Sequence, residues 1–371
     1  DDDISSVFMA INTEIKNDKF KSIKIVCGGM AAIPKIAKKT ETYLKNKKIN
    51  ISCIGCGTIG AGWVARLIQN GISVKIYDPT PLSKSRLHSM LENSKRAYQK
   101  LFPNTRITFG TFEYYTEISP ALENIDFIIE SVPERIDIKQ QIYEKIENQC
   151  SPKTLIASST SGIKPSDLQE KMVHPEWRVV AHPFNPVYLI PMVEVVGGLK
   201  TDLVFVNKAC DFFKSIFMKP VHVKKEIEAF VADRLLEAIW RESLWLIKDG
   251  ICTTQELDDI VRYGFGFRYA QMGVFQTYRT AAGEGGMRQF LHHFGPCLSW
   301  PWTKLMDVPE FNDELIDLIS SQSDEQAKGK SITDLERIRD DNLVEIQKAL
   351  EKNNYGAGTL IKKAKETFET L

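Results

Sequence analysis

Residues 49–67 have the sequence INISCIGCGTIGAGWVARL, and this stretch gives the strongest indication of the fold. Its apolar start has the composition of a buried strand, and its end spaces apolar residues as a helix does. Between the two, Gly55, Gly57 and Gly60 form the pattern G-x-G-x-x-G. A strand that passes through such a turn into a helix is the phosphate-binding unit of dinucleotide-binding domains. We therefore expect a parallel sheet with a dinucleotide at its edge.

Each position of this turn has a physical role. Gly55 permits the tight turn, Gly57 lets the backbone approach a pyrophosphate, and Gly60 lets the helix pack against the sheet. Thr58 and Ile59 complete the turn at the start of the helix. The unpaired N–H groups and partial positive charge of a helix N-terminus attract phosphate, so these five residues are predicted to contact the cofactor.

The residue that ends the next strand predicts which dinucleotide binds. Asp78 follows the strand SVKIY, at the distance from the glycines where an acid hydrogen-bonds the ribose hydroxyls. Pro79 and Thr80 come next, with no immediate Arg to accept a 2′-phosphate. The sequence therefore favours NAD over NADP.

Size and charge exclude several classes of function. The chain has 371 residues, enough for two or three domains, and its 48 basic and 48 acidic residues balance. A net charge near zero gives no reason to expect binding to nucleic acid or to an anionic membrane surface. Apolar runs stay well short of the roughly 18 residues that a transmembrane helix needs. A small-molecule substrate is the expected partner.

The cysteines and the first residues bear on the compartment. Seven cysteines, an odd number, are scattered through apolar runs, which disfavours a disulfide framework. Cys53 and Cys56 form a single CxxC within the glycine turn, so we expect no metal site. Asp1, Asp2 and Asp3 are the opposite of the basic start of a signal peptide. Together these features favour a reducing cytoplasm.

The periodicity of the chain divides it into four parts. Strands alternate with helices over residues 49–226, which predicts a doubly wound, mostly parallel sheet of Rossmann type. Residues 227–345 show helical spacing almost throughout and predict an all-helical domain. Residues 346–371 form a helical tail, and residues 1–48 form a small N-terminal appendage. The fold class is therefore α/β with a helical C-terminal domain.

The stretch AHPFNPVYLIPMVEVV carries the candidate chemistry. His182 stands at its start, and Glu194 lies twelve positions later in a run that has the composition of a strand. A histidine with a carboxylate on its second ring nitrogen can serve as a general base, because the carboxylate fixes the tautomer. Three prolines predict a rigid turn that brings the two together. The alternative is a structural histidine in the core.

Several motifs together resemble the 3-hydroxyacyl-CoA dehydrogenase family. The motifs that carry the resemblance occur in the family's order: GCGTIGAGWVA, ESVPERIDIKQ, SSTSG and HPFNPVYLIPMVEVVGG. The resemblance covers nearly everything after residue 50. It implies an NAD-dependent oxidation of a secondary alcohol, with His182 and Glu194 as the catalytic pair. It also implies that the helical domain serves the substrate and forms a homodimer.

The same resemblance assigns roles to four further residues. Ser161 matches a serine that hydrogen-bonds the substrate hydroxyl, and Asn185 matches an asparagine that supports the same oxygen. Glu134 and Lys139 match cofactor-contacting positions. For Ser161 a turn or helix-capping role is the alternative, and for Glu134 and Lys139 it is ordinary charge pairing at a helix start.

Later stretches narrow the resemblance to the part of the family that oxidises L-carnitine, a free hydroxy acid. These stretches are VADRLLEAIWRESLWLIKDG, MGVFQTYRTAAGEGGMRQF and ERIRDDNLVEIQKAL. Many family members have an Asn where this chain has Asp233. An acid there suits a cationic substrate better than an acyl-CoA, although Asp233 is equally suited to pair with Arg234 or Arg241.

Carnitine requires two further recognitions. A quaternary ammonium has no N–H to donate, so aromatic faces must contact it, and a carboxylate calls for an Arg. For any one aromatic residue, packing in the core is the more frequent role, and the choice between the two arginines stays open. The aromatic candidates are Phe184, Tyr188, Trp240, Trp245, Phe275 and Tyr278, and the arginine candidates are Arg241 and Arg268.

The appendage resembles a different family. The stretch KIVCGGMAAIPKIAKKTE is similar to the terminal domain of the FAD-binding subunit of xanthine dehydrogenases. The match is short and lacks a cofactor loop. We interpret residues 1–48 as a fusion fragment or a vestigial appendage and expect no flavin chemistry from it.

The sequence thus predicts oxidation of the 3-hydroxyl of L-carnitine to 3-dehydrocarnitine, with NAD as cofactor. Another 3-hydroxy acid such as L-gulonate, or a 3-hydroxyacyl-CoA, is the alternative within the same chemistry. A structural protein that binds NAD without turnover is the alternative of a different class, which the His182 and Glu194 pair disfavours.

Overall fold

A computed structural model describes most of the chain. The described residues are 8–16, 19–28, 35–36, 49–103, 105, 107–270, 273–281, 291–292, 312–315, 317–318, 322 and 328–369. Two compact units emerge from the residue contacts: residues 1–230 with 363–371, and residues 231–362. No helix within the described ranges is long and apolar enough to cross a membrane.

The first unit alternates strands and helices. A small antiparallel sheet of β1 (Phe8–Lys16), β2 (Lys19–Gly28) and β3 (Lys35–Ile36) precedes it. The elements that follow are β4 (Ile51–Ile54), α1 (Thr58–Gln69), β5 (Val74–Tyr77), α2 (Pro81–Leu101), β6 (Phe112–Tyr115), α3 (Ile118–Ala121), β7 (Phe127–Glu130), α4 (Ile136–Gln149), β8 (Leu155–Ser158), α5 (Pro165–Gln169), β9 (Arg178–Pro183), β10 (Met192–Gly197), α6 (Leu203–Ser215) and β11 (Lys219–Val223).

The second unit is helical in its described parts. Its elements are α7 (Ala232–Lys248), α8 (Thr254–Ile260), a π-helical turn (Val261–Phe265), α9 (Gly266–Tyr269), α10 (Val274–Ala281), α11 (Ile332–Lys352) and the start of α12 (Ala357–Glu369). Polar caps fix two of these starts. The Thr253 hydroxyl accepts from the Glu256 N–H at 3.2 Å while the Glu256 carboxylate accepts from the Thr253 N–H at 2.8 Å, a reciprocal cap that satisfies helix-start donors. Ser331 and Asp334 form the same cap before α11.

The eight-stranded sheet has the order β11-β10-β9-β8-β7-β4-β5-β6. Its strands pair in parallel except β9 and β10, which pair antiparallel. The chain direction across the sheet reverses at β4, which has β5 on one side and β7 on the other. Such a reversal opens a crevice at the carboxyl ends of the strands, where ligands bind in these folds. The predicted Rossmann-type fold with a helical C-terminal domain is confirmed.

Alternating side chains of each strand pack into two cores. Ile51, Phe127 and Val193 belong to the core that α1 and α6 cover, whereas Ile128 and Val180 belong to the core that α4 covers. Because side chains alternate along a strand, His182 shares the face of Val180. The position of His182 in the strand therefore determines that it lies on the α4 side of the sheet.

Candidate active site

The glycine turn after β4 has the shape that the sequence predicts. Gly55 has a φ of +90°, and a Cβ on it would lie 2.6 Å from the Ser131 carbonyl oxygen. A Cβ on Gly60 would lie only 1.9 Å from the Gly55 carbonyl oxygen, so neither residue has room for a side chain. Around Gly57, in contrast, a Cβ would meet no atom within 4 Å. The turn is closed where the backbone packs and open where a pyrophosphate would approach the start of α1.

Asp78 is held at the end of β5 by backbone donors. Its carboxylate accepts from the Cys56 N–H at 2.7 Å and from the Thr80 N–H at 2.8 Å. These bonds tie the glycine turn to the strand that carries the acid. A carboxylate has about four acceptor positions, so two backbone bonds leave capacity for ribose hydroxyls.

His182 and Glu194 lie directly opposite each other across the β9–β10 pair. Side chains of opposed residues in an antiparallel pair point to the same face, with their Cβ atoms about 5 Å apart. The His182 Nδ1 accordingly lies 3.0 Å from the Glu194 Oε2, and both side chains are buried. The register of two strands, in addition to the proline turn that the sequence suggested, brings the pair together.

Two aromatic rings flank the imidazole. The Phe184 ring centroid lies 5.1 Å from that of His182, and the Phe230 centroid lies 5.8 Å from it. Phe230 is fully buried, and both it and Ala229 have positive φ, at +49° and +58°. Left-handed backbone at two consecutive residues with side chains costs free energy and tends to occur at functional sites. It places the Phe230 ring against the histidine.

Glu134 binds the loop that carries Ser161. Its carboxylate accepts from the N–H groups of Ser161 at 3.1 Å and Gly162 at 3.2 Å, and from the Thr160 hydroxyl. Ser161 itself is exposed at the end of β8, next to the end of β9 in the sheet. Glu134 thus fixes the backbone around Ser161.

Lys139 lies beneath this loop. It is 1% exposed, and its Nζ lies 2.9 Å from Glu130 and 3.3 Å from Glu134. Glu130, which ends β7, also accepts from the hydroxyls of Ser158 and Tyr143. A buried carboxylate is costly unless it is paired and hydrogen-bonded, and here it is both. Lys139 therefore joins two carboxylates at the carboxyl end of the sheet, and a direct contact with the cofactor stays a prediction.

Arg178 extends the same buried network at the start of β9. Its guanidinium stacks on the Tyr143 ring at 3.2 Å and lies 3.8 Å from Glu130. Burial lowers the pKa of Arg178, and the nearby Glu130 charge opposes that shift. Arg178, Glu130 and Phe230 are not among the residues predicted from the sequence. The acid at the end of the otherwise apolar strand FIIE was the signal that could have identified Glu130.

The loop between His182 and Glu194 carries two further predicted residues. Asn185 is exposed and precedes Pro186 through a cis peptide bond, whereas Tyr188 is 1% exposed. The burial of Tyr188 favours the packing alternative for this residue. Phe184, which is half-buried beside the imidazole, keeps a surface for a substrate.

The remaining predicted substrate residues belong to the second unit. Asp233 lies in the first turn of α7, and Trp240 and Arg241 lie about two turns later on the same face. Glu237 lies between Asp233 and Arg241 on that face, and its Oε2 is 4.0 Å from Arg241 Nε. Trp240 is 51% exposed, and Arg268 is exposed on α9. Phe275 and Tyr278 are exposed on α10. The structure therefore places an acid, an aromatic ring and a cation along one stripe of α7.

The two thiols of the glycine turn are held in their protonated form. Cys53 and Cys56 are both buried and unbonded to each other. Burial raises the pKa of Cys53, and burial with the Asp78 charge raises the pKa of Cys56 to about 12. The thiolate is the form that binds metals and attacks disulfides. The CxxC therefore packs the turn in its protonated form.

Comparison with known proteins agrees with this geometry. Residues 50–227 match the family model described as 3-hydroxyacyl-CoA dehydrogenase, NAD binding domain, and residues 230–306 match the C-terminal domain of the same family. Residues 1–55 match the CO dehydrogenase flavoprotein C-terminal domain, in keeping with the resemblance of the appendage to a flavoprotein subunit.

Individual relatives are similar over most of the chain. An L-carnitine dehydrogenase of Mesorhizobium japonicum is 58% identical over 83% of this chain and 85% of its own. An L-carnitine dehydrogenase/betainyl-CoA thioesterase of Agrobacterium fabrum is 54% identical over 86% of this chain, which spans 65% of that longer protein.

A solved structure extends the comparison to the fold. An NAD+-dependent dismutase, a 5-formyl-3-hydroxy-2-methylpyridine 4-carboxylic acid 5-dehydrogenase, superposes with a TM-score of 0.68 and 30% identity. The match covers 81% of this chain and 98% of that one. With the glycine turn, Asp78 and both family models in agreement, this chain belongs to the 3-hydroxyacyl-CoA dehydrogenase family and is an NAD-dependent dehydrogenase.

Proposed function

We propose that this dehydrogenase oxidises the 3-hydroxyl of L-carnitine to give 3-dehydrocarnitine, with His182 as general base. The observation that carries the chemistry is the 3.0 Å contact between His182 Nδ1 and Glu194. The substrate is supported by the relatives named L-carnitine dehydrogenase. Bound NAD supplies the acceptor for the hydride that leaves the carbinol carbon.

The dyad orients the base for this reaction. Because Glu194 binds Nδ1, the proton of the substrate hydroxyl goes to Nε2, and the imidazolium that results lies beside a carboxylate. The aromatic rings of Phe184 and Phe230 limit water around the imidazole, which strengthens the interaction with Glu194. As the carbonyl forms, the ketone oxygen stays within reach of donors on the neighbouring loops.

Ser161 and Asn185 are proposed to be those donors. Both follow strands that end at the same edge of the sheet, and both side chains belong to exposed residues. Donors aimed at an oxygen that gains charge in the transition state stabilise it more than they stabilise the substrate. Glu134 and Lys139 act on this step by holding the Ser161 loop.

Substrate selection is proposed to come from the α7 stripe. Asp233 would offset the positive charge of the trimethylammonium group, and the Trp240 ring would contact its methyl groups. Arg241 or Arg268 would bind the carboxylate through two N–H groups. An acid at position 233 favours this zwitterion over a 3-hydroxyacyl-CoA. The acid attracts the positive trimethylammonium group and repels the negative phosphates of CoA.

One assay tests the substrate. NADH production is measured with L-carnitine, D-carnitine, L-gulonate and a 3-hydroxybutyryl-CoA at equal concentrations. We expect kcat/KM to be highest for L-carnitine. Turnover of L-gulonate or the CoA ester without turnover of L-carnitine would contradict the proposal, and binding of NAD without turnover of any substrate would favour the structural role.

We also propose that the active form is a homodimer. Leu235, Leu236 and Ile239 of α7 are 58%, 54% and 44% exposed, and they form an apolar row on one side of the helix. Contiguous exposed apolar surface indicates an interaction site. Light scattering after size exclusion should give twice the chain mass, and Leu236→Glu should give the monomer mass; a monomeric wild-type protein would contradict the proposal.

A further inference from the structure

Helix α1, whose start forms the cofactor turn, contacts more than the cofactor site. Arg66 lies four positions after Gly62 and three positions after Trp63, so each of these two residues is a neighbour of Arg66 on the helix surface. All three are buried. Each faces one of the two loops that carry the proposed catalytic groups.

Trp63 holds the loop after β8. Its indole is fully buried against Phe213, with ring centroids 5.2 Å apart, and its Nε1 donates to the Ser159 hydroxyl at 2.9 Å. The Ser131 hydroxyl lies 3.0 Å from the same oxygen. Ser159 is two residues before Ser161, so these bonds fix one side of that loop while Glu134 fixes the other.

Arg66 holds the loop between β9 and β10. Its Nε donates to the Val187 carbonyl at 3.1 Å, its Nη2 to the Ile190 carbonyl at 3.2 Å, and its Nη1 to the Tyr98 hydroxyl at 3.2 Å. The partners that the structure describes for this guanidinium are neutral oxygens. Burying a cation is costly and packing does not require it. The planar fork of donors instead fits a role in fixing two carbonyls of one loop.

Gly62 sets the spacing between the same helix and the same loop. A Cβ at this position would lie 3.0 Å from Val187 Cγ2 and 3.1 Å from Val187 Cβ. Contacts of that length force one of the two segments to move by a few tenths of an ångström. The absence of a side chain at position 62 therefore lets the loop approach α1 closely enough for the Arg66 bonds.

We propose that α1 is the common support of both catalytic loops, with Trp63 and Arg66 as positioning residues that set Ser161 and Asn185 relative to His182. The inference rests on the proposed function for the roles of those three groups. The cofactor helix then has two roles. Its start binds the pyrophosphate, and its side chains determine where Ser161 and Asn185 lie relative to the substrate oxygen.

The test compares three variants with one matched control. Trp63→Phe keeps the ring and removes the N–H, Arg66→Met keeps the length and removes the fork, and Gly62→Ala pushes the loop without deleting a bond. The control is Gln69→Leu, because Gln69 is equally buried on α1 but donates to Ser94 of α2 at 3.0 Å, away from both loops.

Small displacements of reacting groups lower rates steeply. We expect kcat to fall about 10-fold in Trp63→Phe and about 100-fold in Arg66→Met and Gly62→Ala, on the scale that such displacements produce. The dissociation constant of NAD, measured by calorimetry, should change less than about twofold, since none of the three is placed at the pyrophosphate. Gln69→Leu should keep kcat. Equal kcat in folded variants, or loss of NAD binding in parallel with kcat, would overturn the proposal.

Hydrogen exchange separates this inference from the proposed chemistry. In the absence of substrate, Arg66→Met should speed amide exchange in residues 184–191, and Trp63→Phe should speed it in residues 159–163, with α1 itself unchanged. This result does not depend on the identity of the base or the substrate. If His182→Gln kept full turnover, the chemistry would fail while the exchange result stood. If the exchange rates of both loops stayed at wild-type values, the support role would fail alone.

Two milder variants cover the case in which a large change prevents folding. Ser159→Ala removes the Trp63 bond from its other side, and Arg66→Lys keeps the charge with a single donor group. Ser159→Ala should reproduce the Trp63→Phe loss of kcat, and the two changes together should cost no more than either alone. Arg66→Lys should recover part of the kcat that Arg66→Met loses. Additive losses, or no recovery, would contradict the assigned contacts.

Discussion

The β9–β10 pair of the first unit and the α7 stripe of the second show two ways of placing candidate functional groups. His182 and Glu194 are buried, opposed in one strand register and 3.0 Å apart. Trp240 is 51% exposed, and its position relative to Asp233 follows from helical spacing alone. The first arrangement brings two particular atoms within hydrogen-bond distance, whereas the second determines only which side chains share a face.

This difference matches the demands of the two tasks. Proton transfer requires a base within hydrogen-bond reach of the hydroxyl, so its geometry must be rigid. Recognition of a trimethylammonium group depends on non-directional contacts with aromatic faces and on a nearby charge. Changes in the β9–β10 pair should therefore affect kcat, and changes in the stripe should affect the choice of substrate.

The largest effect is expected from His182→Gln. Glutamine fills a similar volume but accepts no proton at neutral pH, so kcat should fall by about 10³-fold, within the range for general bases. NAD binding by calorimetry should stay within about twofold of wild type. His222→Gln, an exposed histidine on β11 of the same sheet, is the control that should keep kcat. Retention of wild-type turnover by His182→Gln would remove the histidine from the chemistry.

Glu194→Gln should have the next largest effect. The amide oxygen can still accept from Nδ1, but the charge that stabilises the imidazolium is lost, so we expect kcat to fall about 10²-fold. Stopped-flow measurement of the first turnover should show the loss in the chemical step. Glu147→Gln is the control, because the described partners of the Glu147 carboxylate are two backbone N–H groups, those of Val173 and His174, and not an imidazole. A rate equal to that of wild type would mean that Glu194 acts only by orienting the imidazole and that its charge is not needed.

Asp233→Asn should alter substrate choice more than rate. We expect the KM for L-carnitine to rise about 10-fold, as loss of roughly one favourable charge interaction implies. The carbon isostere 3-hydroxy-5,5-dimethylhexanoate keeps the carboxylate but has carbon in place of the quaternary nitrogen, so its KM should be unchanged. Glu237→Gln, one turn further along the same face, tests whether loss of any acid on the stripe raises the KM for L-carnitine. An equal change for both substrates would assign Asp233 a structural role.

The smallest effect is expected at the end of the first unit. Ala229 has a φ of +58°, so Ala229→Gly should relieve strain and raise the free energy of unfolding by about 1 kcal/mol. Ala238→Gly, within α7, should lower it by about the same amount, because glycine weakens a helix interior. Thermal unfolding of both variants measures the two changes. A destabilised Ala229→Gly would show that the left-handed turn costs little here.

Structural features that depend on backbone geometry over a few residues were predicted correctly from the sequence. The glycine turn, its helix and the alternation of strands follow from spacing, and all were found as expected. The proximity of His182 and Glu194 was expected from a proline turn, yet strand register is the more direct cause. Sequence alone does not show that residues twelve apart oppose each other, because register depends on which faces the whole sheet buries.

The contacts that hold the loops after β8 and β9 could not be predicted from local patterns in the sequence. Glu134 was expected at the cofactor, and the structure shows it bound to the Ser161 loop. Arg66 and Trp63 had the appearance of ordinary residues of an amphipathic helix. Their partners are 121 and 96 positions away in the chain, and only the packing of α1 on the sheet brings them together.

The Rossmann-type sheet, the cofactor and the family could all be predicted from the sequence, because the glycines of the turn and the acid that binds a ribose stand at fixed spacings along the chain. Three other features depend on how distant segments pack: His182 faces Glu194 across a strand pair, Lys139 is buried between two carboxylates, and α1 contacts the loops that follow β8 and β9. Local patterns are set by backbone sterics within a few residues. Side-chain partners are set by how distant segments pack.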